Sequence, residues 1–118
     1  MSLKPKLPEK PDPGLATPIA WGVLAEPEEP VAMLRVEIAD GEFSYPYHVI
    51  ARLQWLPGSV ERLLVYAGSD RVIIKGTGLP AVRDALETGR LRVLRRPKGR
   101  YAKISSGVLV TSVGVEER

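Results

Sequence analysis

The chain has 118 residues, 44% of them hydrophobic and 26% charged, and a formal net charge of +3. That is enough for one domain with its own core, and it excludes a collagen-like, wholly disordered or multi-pass membrane protein. There is no cysteine, which removes disulfides, thiolate metal sites, iron–sulfur clusters and cysteine nucleophiles together and makes a reducing, cytoplasmic location the expectation.

The prolines divide the chain. Pro5, Pro8, Pro11, Pro13, Pro18, Pro27 and Pro30 crowd the first thirty residues. Proline lacks a backbone donor and restricts the residue before it, so residues 1–13, with Lys4, Lys6 and Lys10, are expected as a disordered proline-rich arm. No targeting signal stands there, and no uncharged stretch reaches the ~20 residues that cross a bilayer as a helix. No membrane partner is expected. Residues 14–30, with the apolar patch Leu15–Ala25 around Trp21, are expected to dock as an irregular segment or short strand. Residues 31–115 are expected as a single compact β-rich domain.

From Val31 the pattern becomes that of strands. Leu34, Val36 and Ile38 alternate with Arg35 and Glu37, the period of a half-buried strand. Asp40-Gly41 then signals a hairpin. A long second strand is expected from about Phe43 to Leu56, with Tyr47, Val49, Ala51, Leu53 and Trp55 on one face and His48, Ile50, Arg52 and Gln54 on the other. Pro46 early in this strand points to an edge or a bulge. Turns at Pro57-Gly58-Ser59 and Gly68-Ser69-Asp70 bound strands at Glu61–Ala67 and Arg71–Lys75, completing an antiparallel four-stranded meander.

Gly76-Thr77-Gly78 ends the meander. Pro80 suits a first helical turn, Leu79, Val82 and Leu86 recur at helical spacing, and Gly89 suits the C-cap, so one short helix is expected over about 79–88. Leu91 and Val93 alternate with arginines in a further strand, and Tyr101–Ile104 with Val108–Val113 read as a last hairpin. The fold class is α+β, mostly β: four strands, a helix, then two or three further strands. That order is close to a small OB-like or SH3/Sm-like barrel. No internal repeat and no family motif stand in the sequence.

Charge is unevenly spread. Arg90, Arg92, Arg95, Arg96, Lys98, Arg100 and Lys103 fall within one stretch without an acid, and Tyr101 lies among them. Glu26, Glu28, Glu29, Glu37, Asp40 and Glu42 fall within another that holds one base, Arg35. Guanidinium groups on a β-surface grip phosphates and a ring among them stacks on a base, so the basic stretch is a candidate site for nucleic acid or another polyanion. It also fits, and more simply, an edge protected by positive charge. A third reading sets the acidic and basic stretches against each other, within one subunit or across a homo-oligomer.

Other candidates are weaker. Tyr45 and Tyr47 beside Pro46 suit either a small partner surface for another protein or core pairs. The backbone amides after Lys75, in Lys75-Gly76-Thr77-Gly78-Leu79-Pro80, resemble an anion site at a helix start without the phosphate-loop pattern. His48, the one histidine, has no acid close in sequence to orient it. Glu26, Glu28 and Glu29 lack the shaped loop of a calcium site. The expectation is a non-enzymatic binding module without catalytic residues, metal or cofactor, the alternative being a structural or regulatory interaction domain acting as a homo-oligomer.

Overall fold

The computed structural model describes residues 16–97 and 107–117. The arm expected over 1–13 and the first strand of the last hairpin, over 101–104, lie outside the described residues. Among the described residues, nine strands, a 3-10 turn and one helix follow in order: β1 (Ala16–Ile19), β2 (Gly22–Ala25), β3 (Met33–Ile38), β4 (Gly41–Pro46), the 3-10 turn Tyr47–Val49, β5 (Ile50–Leu56), β6 (Glu61–Ala67), β7 (Asp70–Thr77), α1 (Pro80–Glu87), β8 (Leu91–Leu94) and β9 (Leu109–Glu116). They build two sheets, ordered β1-β2-β8-β3-β4 and β5-β6-β7-β9. The class is α+β and mostly β, with antiparallel-rich sheets. No ladder joins the two sheets among the described residues, so the small barrel is not closed.

One core lies between the sheets. β3 contributes Leu34 and Val36, β6 Leu63 and Val65, β7 Val72 and Ile74, β8 Leu91 and Leu94, and α1 Val82 and Leu86. Burying each such side chain stabilises the fold by about 1.5–3 kcal/mol. The helix begins with proline at its first position and ends before Gly89, whose φ of 67° closes it. Residues 16–25 are not irregular: β1 and β2 form a hairpin that pairs through β2 with β8. β8 in turn runs parallel to β3. A parallel neighbour requires a long crossover, and here that crossover runs through β4, the β5, β6 and β7 strands of the second sheet, and the helix.

The expected four-stranded meander is divided between the sheets. The β3–β4 hairpin turns on Ala39 and Asp40, one residue before the Asp40-Gly41 pair, since Ile38 opposes Gly41. The single strand expected over Phe43–Leu56 breaks after Pro46, which cannot continue a ladder as a donor. The chain makes one 3-10 turn and enters the second sheet as β5. A bulge between Ile50 and Arg52 then shifts the alternation. Ile50, Leu53 and Trp55 pack against the core and Ala51 is exposed, the reverse of the expected placement of Ile50 and Ala51.

The passage from β7 into α1 is held by Glu61, at the start of β6. Its carboxylate accepts the amide of Gly78 at 3.0 Å, the amide of Leu79 at 2.9 Å and the indole N–H of Trp55 at 3.0 Å. Gly78 is required at this corner. Its φ is 69°, and a Cβ there would stand 2.1 Å from the carbonyl oxygen of Gly107. The indole and the two amides hold the Glu61 carboxyl below the usual carboxylate range.

Replacing Glu61 by alanine removes three hydrogen bonds accepted by a charged group and should lower stability by about 2 kcal/mol at neutral pH, read by urea denaturation. The carboxyl titrates lower folded than unfolded, so its contribution is complete above the unfolded value and is lost as pH falls through the folded one. The gap between wild type and Glu61→Ala should therefore close on acidification; a gap independent of pH would mean that the carboxylate charge is not what holds the corner.

Candidate functional site

The basic stretch lies along the first sheet, and three of its described members, Arg90, Arg92 and Arg95, are engaged with other parts of the chain. Arg90 directs Nε and Nη2 to the carbonyl of Ala25, at 3.1 and 3.0 Å, fastening the end of β2 to the start of β8. Arg92 pairs with Glu29. Arg95 donates from Nε to Glu37 at 3.0 Å. The acidic and basic stretches thus meet within one subunit through the Arg92–Glu29 and Arg95–Glu37 pairs. Arg95 and the exposed Arg96 line a cleft of about 730 Å³ with Glu37 and Glu42 and, from β9, Thr111, Ser112 and Val113. Lys98, Arg100, Tyr101 and Lys103 lie outside the described residues.

The tyrosines beside Pro46 both turn their hydroxyls to acceptors within the chain. Tyr45 is 7% exposed and donates its hydroxyl to Asp70 at 2.7 Å. Tyr47 is half-buried and donates to the carbonyl of Leu91 at 2.6 Å. Pro46 interrupts the strand between them, and the kink turns both rings towards internal acceptors. Burial raises the pKa of both phenols, to about 12 for Tyr47. The amides at the helix start are occupied too, because the anion they bind is the Glu61 carboxylate. His48 is exposed in the 3-10 turn. No group of three metal-ligating side chains stands together among the described residues.

A different cationic surface appears on the second sheet. Its register aligns outward-facing residues of β5, β6, β7 and β9 in three rows. One row is Arg52, Tyr66, Arg71 and Glu116. The next is Gln54, Leu64, Ile73 and Gly114, and the third is Leu56, Arg62, Lys75 and Ser112. Four cations share this face with one acid among its described residues, Glu116, which pairs with Arg71. Arg62 and Lys75 stand directly opposite each other, a like-charge pair that destabilises a sheet. Both are exposed, and neither has an ion pair among the described residues.

Tyr66 is the aromatic centre of this face. The Arg52 guanidinium lies over its ring, 4.3 Å from the centroid, a cation–π arrangement. Its hydroxyl donates to Gln54 at 3.1 Å. Arg52 and then Arg71, beside the phenol oxygen, hold Tyr66 below the usual tyrosine pKa. Leu64 is buried but stands outside the core, forming with Ile73 an apolar floor between the two cationic rows. Sequence reasoning missed this surface because its bases are dispersed, one or two to a strand. The available signal was an outward basic position on each of Arg52, Arg62, Arg71 and Lys75, legible only once strand registers are known.

Comparison with protein-family models, with curated proteins and with solved structures finds no match.

Two measurements check these assignments. Arg90→Ala should cost about 1 kcal/mol in urea denaturation through loss of the Ala25 contact, against less than about 0.5 kcal/mol for the exposed Arg96→Ala. In a phenolate absorbance titration of the native protein, Tyr66 should ionise before Tyr47 and Tyr45. Tyr66→Phe should then remove an early-rising step; if it removes a late one, the Arg52 and Arg71 contacts are misassigned.

Proposed function

We propose that this chain is a non-enzymatic binding module that takes nucleic acid or another polyanion on the outer face of its second sheet. The observation that carries the reading is the Arg62–Lys75 pair: two exposed like charges directly opposed across β6 and β7, on a face where Arg52 and Arg71 add to the same sign. Arg71 is paired with Glu116, but Arg62 and Lys75 have no ion pair among the described residues and gain compensation from an external anion. The basic stretch at Arg90, Arg92 and Arg95 supports this relocation, since its guanidinium groups already serve the fold. Contacts made by these cations alone give affinity without sequence choice.

The test is fluorescence anisotropy of labelled single-stranded RNA and DNA at low and physiological salt. Binding should weaken steeply with salt, each phosphate contact contributing about 0.7 to the logarithmic slope. The double variant Arg62→Glu with Lys75→Glu should weaken binding by at least about tenfold and flatten that slope. Binding at low salt that survives the double variant would overturn the assignment to this face, as would no binding at all.

A further inference from the structure

The cationic face runs, on its β5 side, into a groove between β5 and the C-terminal end of α1, and Arg52 belongs to both. The groove has a volume of about 500 Å³. Ile50, Leu53 and Leu86 give it apolar walls, and the exposed Glu87 adds a carboxylate. This lining sorts ligands by chemistry. A phosphate finds its cation at Arg52, and one moving past Arg52 into the groove meets the negative charge of Glu87. A flat neutral ring gains apolar contact, and an exocyclic amine on that ring finds an acceptor in Glu87. Arg52 lies over the Tyr66 ring and is exposed, and a planar guanidinium in the open can take a nucleobase by stacking.

We propose that the anion bound by the second sheet is a single-stranded nucleic acid, with its phosphates on Arg62 and Lys75 and one unpaired base stacked on Arg52 at the mouth of the β5–α1 groove, where Glu87 accepts from its exocyclic amine. This rests on the reading of the sheet face as an anion-binding surface and adds the chemical class of the anion. A duplex holds its bases within the stack, and inorganic polyphosphate has no ring to offer. The amine contact favours cytosine over uracil, which lacks an exocyclic amine.

The experiment is competition on the full chain. A labelled single-stranded RNA is displaced by unlabelled oligocytidylate, oligouridylate, duplex RNA or inorganic polyphosphate, matched in number of phosphates. Oligocytidylate should compete at least about fivefold better than polyphosphate or duplex, the lower end of what stacking one base contributes. It should also compete better than oligouridylate. Glu87→Gln should erase the cytosine preference. Arg52→Lys, which keeps a charge but not a planar group, should narrow the gap to polyphosphate. Equal displacement by all four competitors, with both variants unchanged, would overturn this inference and leave the anion-binding face standing. No binding of the labelled RNA, with no polyphosphate binding in a direct titration, would remove both.

Discussion

The two sheets are held together at the corner where the chain passes from one to the other. Pro46 ends β4 because it cannot donate to a ladder, and one 3-10 turn carries the chain into β5. On either side of the proline a tyrosine is anchored. Tyr45, on the first sheet, reaches Asp70 at the start of β7 in the second. Tyr47, leaving the first sheet, reaches back to the carbonyl of Leu91 in β8. Each phenol places its ring in the core and its hydroxyl on an acceptor from another part of the fold. A buried hydroxyl needs such a partner, so the two hydrogen bonds set how the sheets meet as well as closing the corner.

That corner explains the layout of the remaining surface. Once β5 turns into the second sheet, Ile50, Leu53 and Trp55 take its inner side and Arg52 and Gln54 its outer side. Glu61 fixes the opposite end of β6 by holding Trp55 and the start of α1 together. The helix is then used at both ends: its first amides are taken by Glu61, and its last turn forms one wall of the groove beside Arg52. The same constraints that bury the core therefore leave the outer rows of the second sheet exposed.

Much of the fold is legible in the sequence because its signals are local. The period-two runs at Leu34–Ile38, Glu61–Ala67 and Leu91–Val93 are strands, and proline before a helical stripe with glycine after it is a helix. Which strand enters which sheet is not local. Phe43–Leu56 reads as one strand because nothing in its alternation records that the residues after Pro46 pair with a different partner. The parallel pairing of β8 with β3 joins segments more than fifty residues apart, and no periodicity carries that information. The two tyrosines illustrate the same limit, since Asp70 and Leu91 lie far from them in the chain.

Charge follows the same division between what is near in sequence and what is near in space. A contiguous run of bases is conspicuous in the sequence, yet Arg90 and Arg92 flank or occupy a strand inserted between β2 and β3. Glu29 precedes β3 and Glu37 lies within it, so the run meets acids as soon as the sheet forms. Bases spaced apart in sequence behave oppositely. Arg62 and Lys75 are separated by a turn and most of two strands, and antiparallel pairing brings them face to face. At a strand spacing of about 4.8 Å, such a pair opposes its own sheet. A local arrangement that works against the fold, on a surface where nothing structural requires it, is where a binding site is expected. A matched cluster such as Arg95 with Glu37 stabilises the chain and attracts little; an unmatched one retains a field that a polyanion can neutralise.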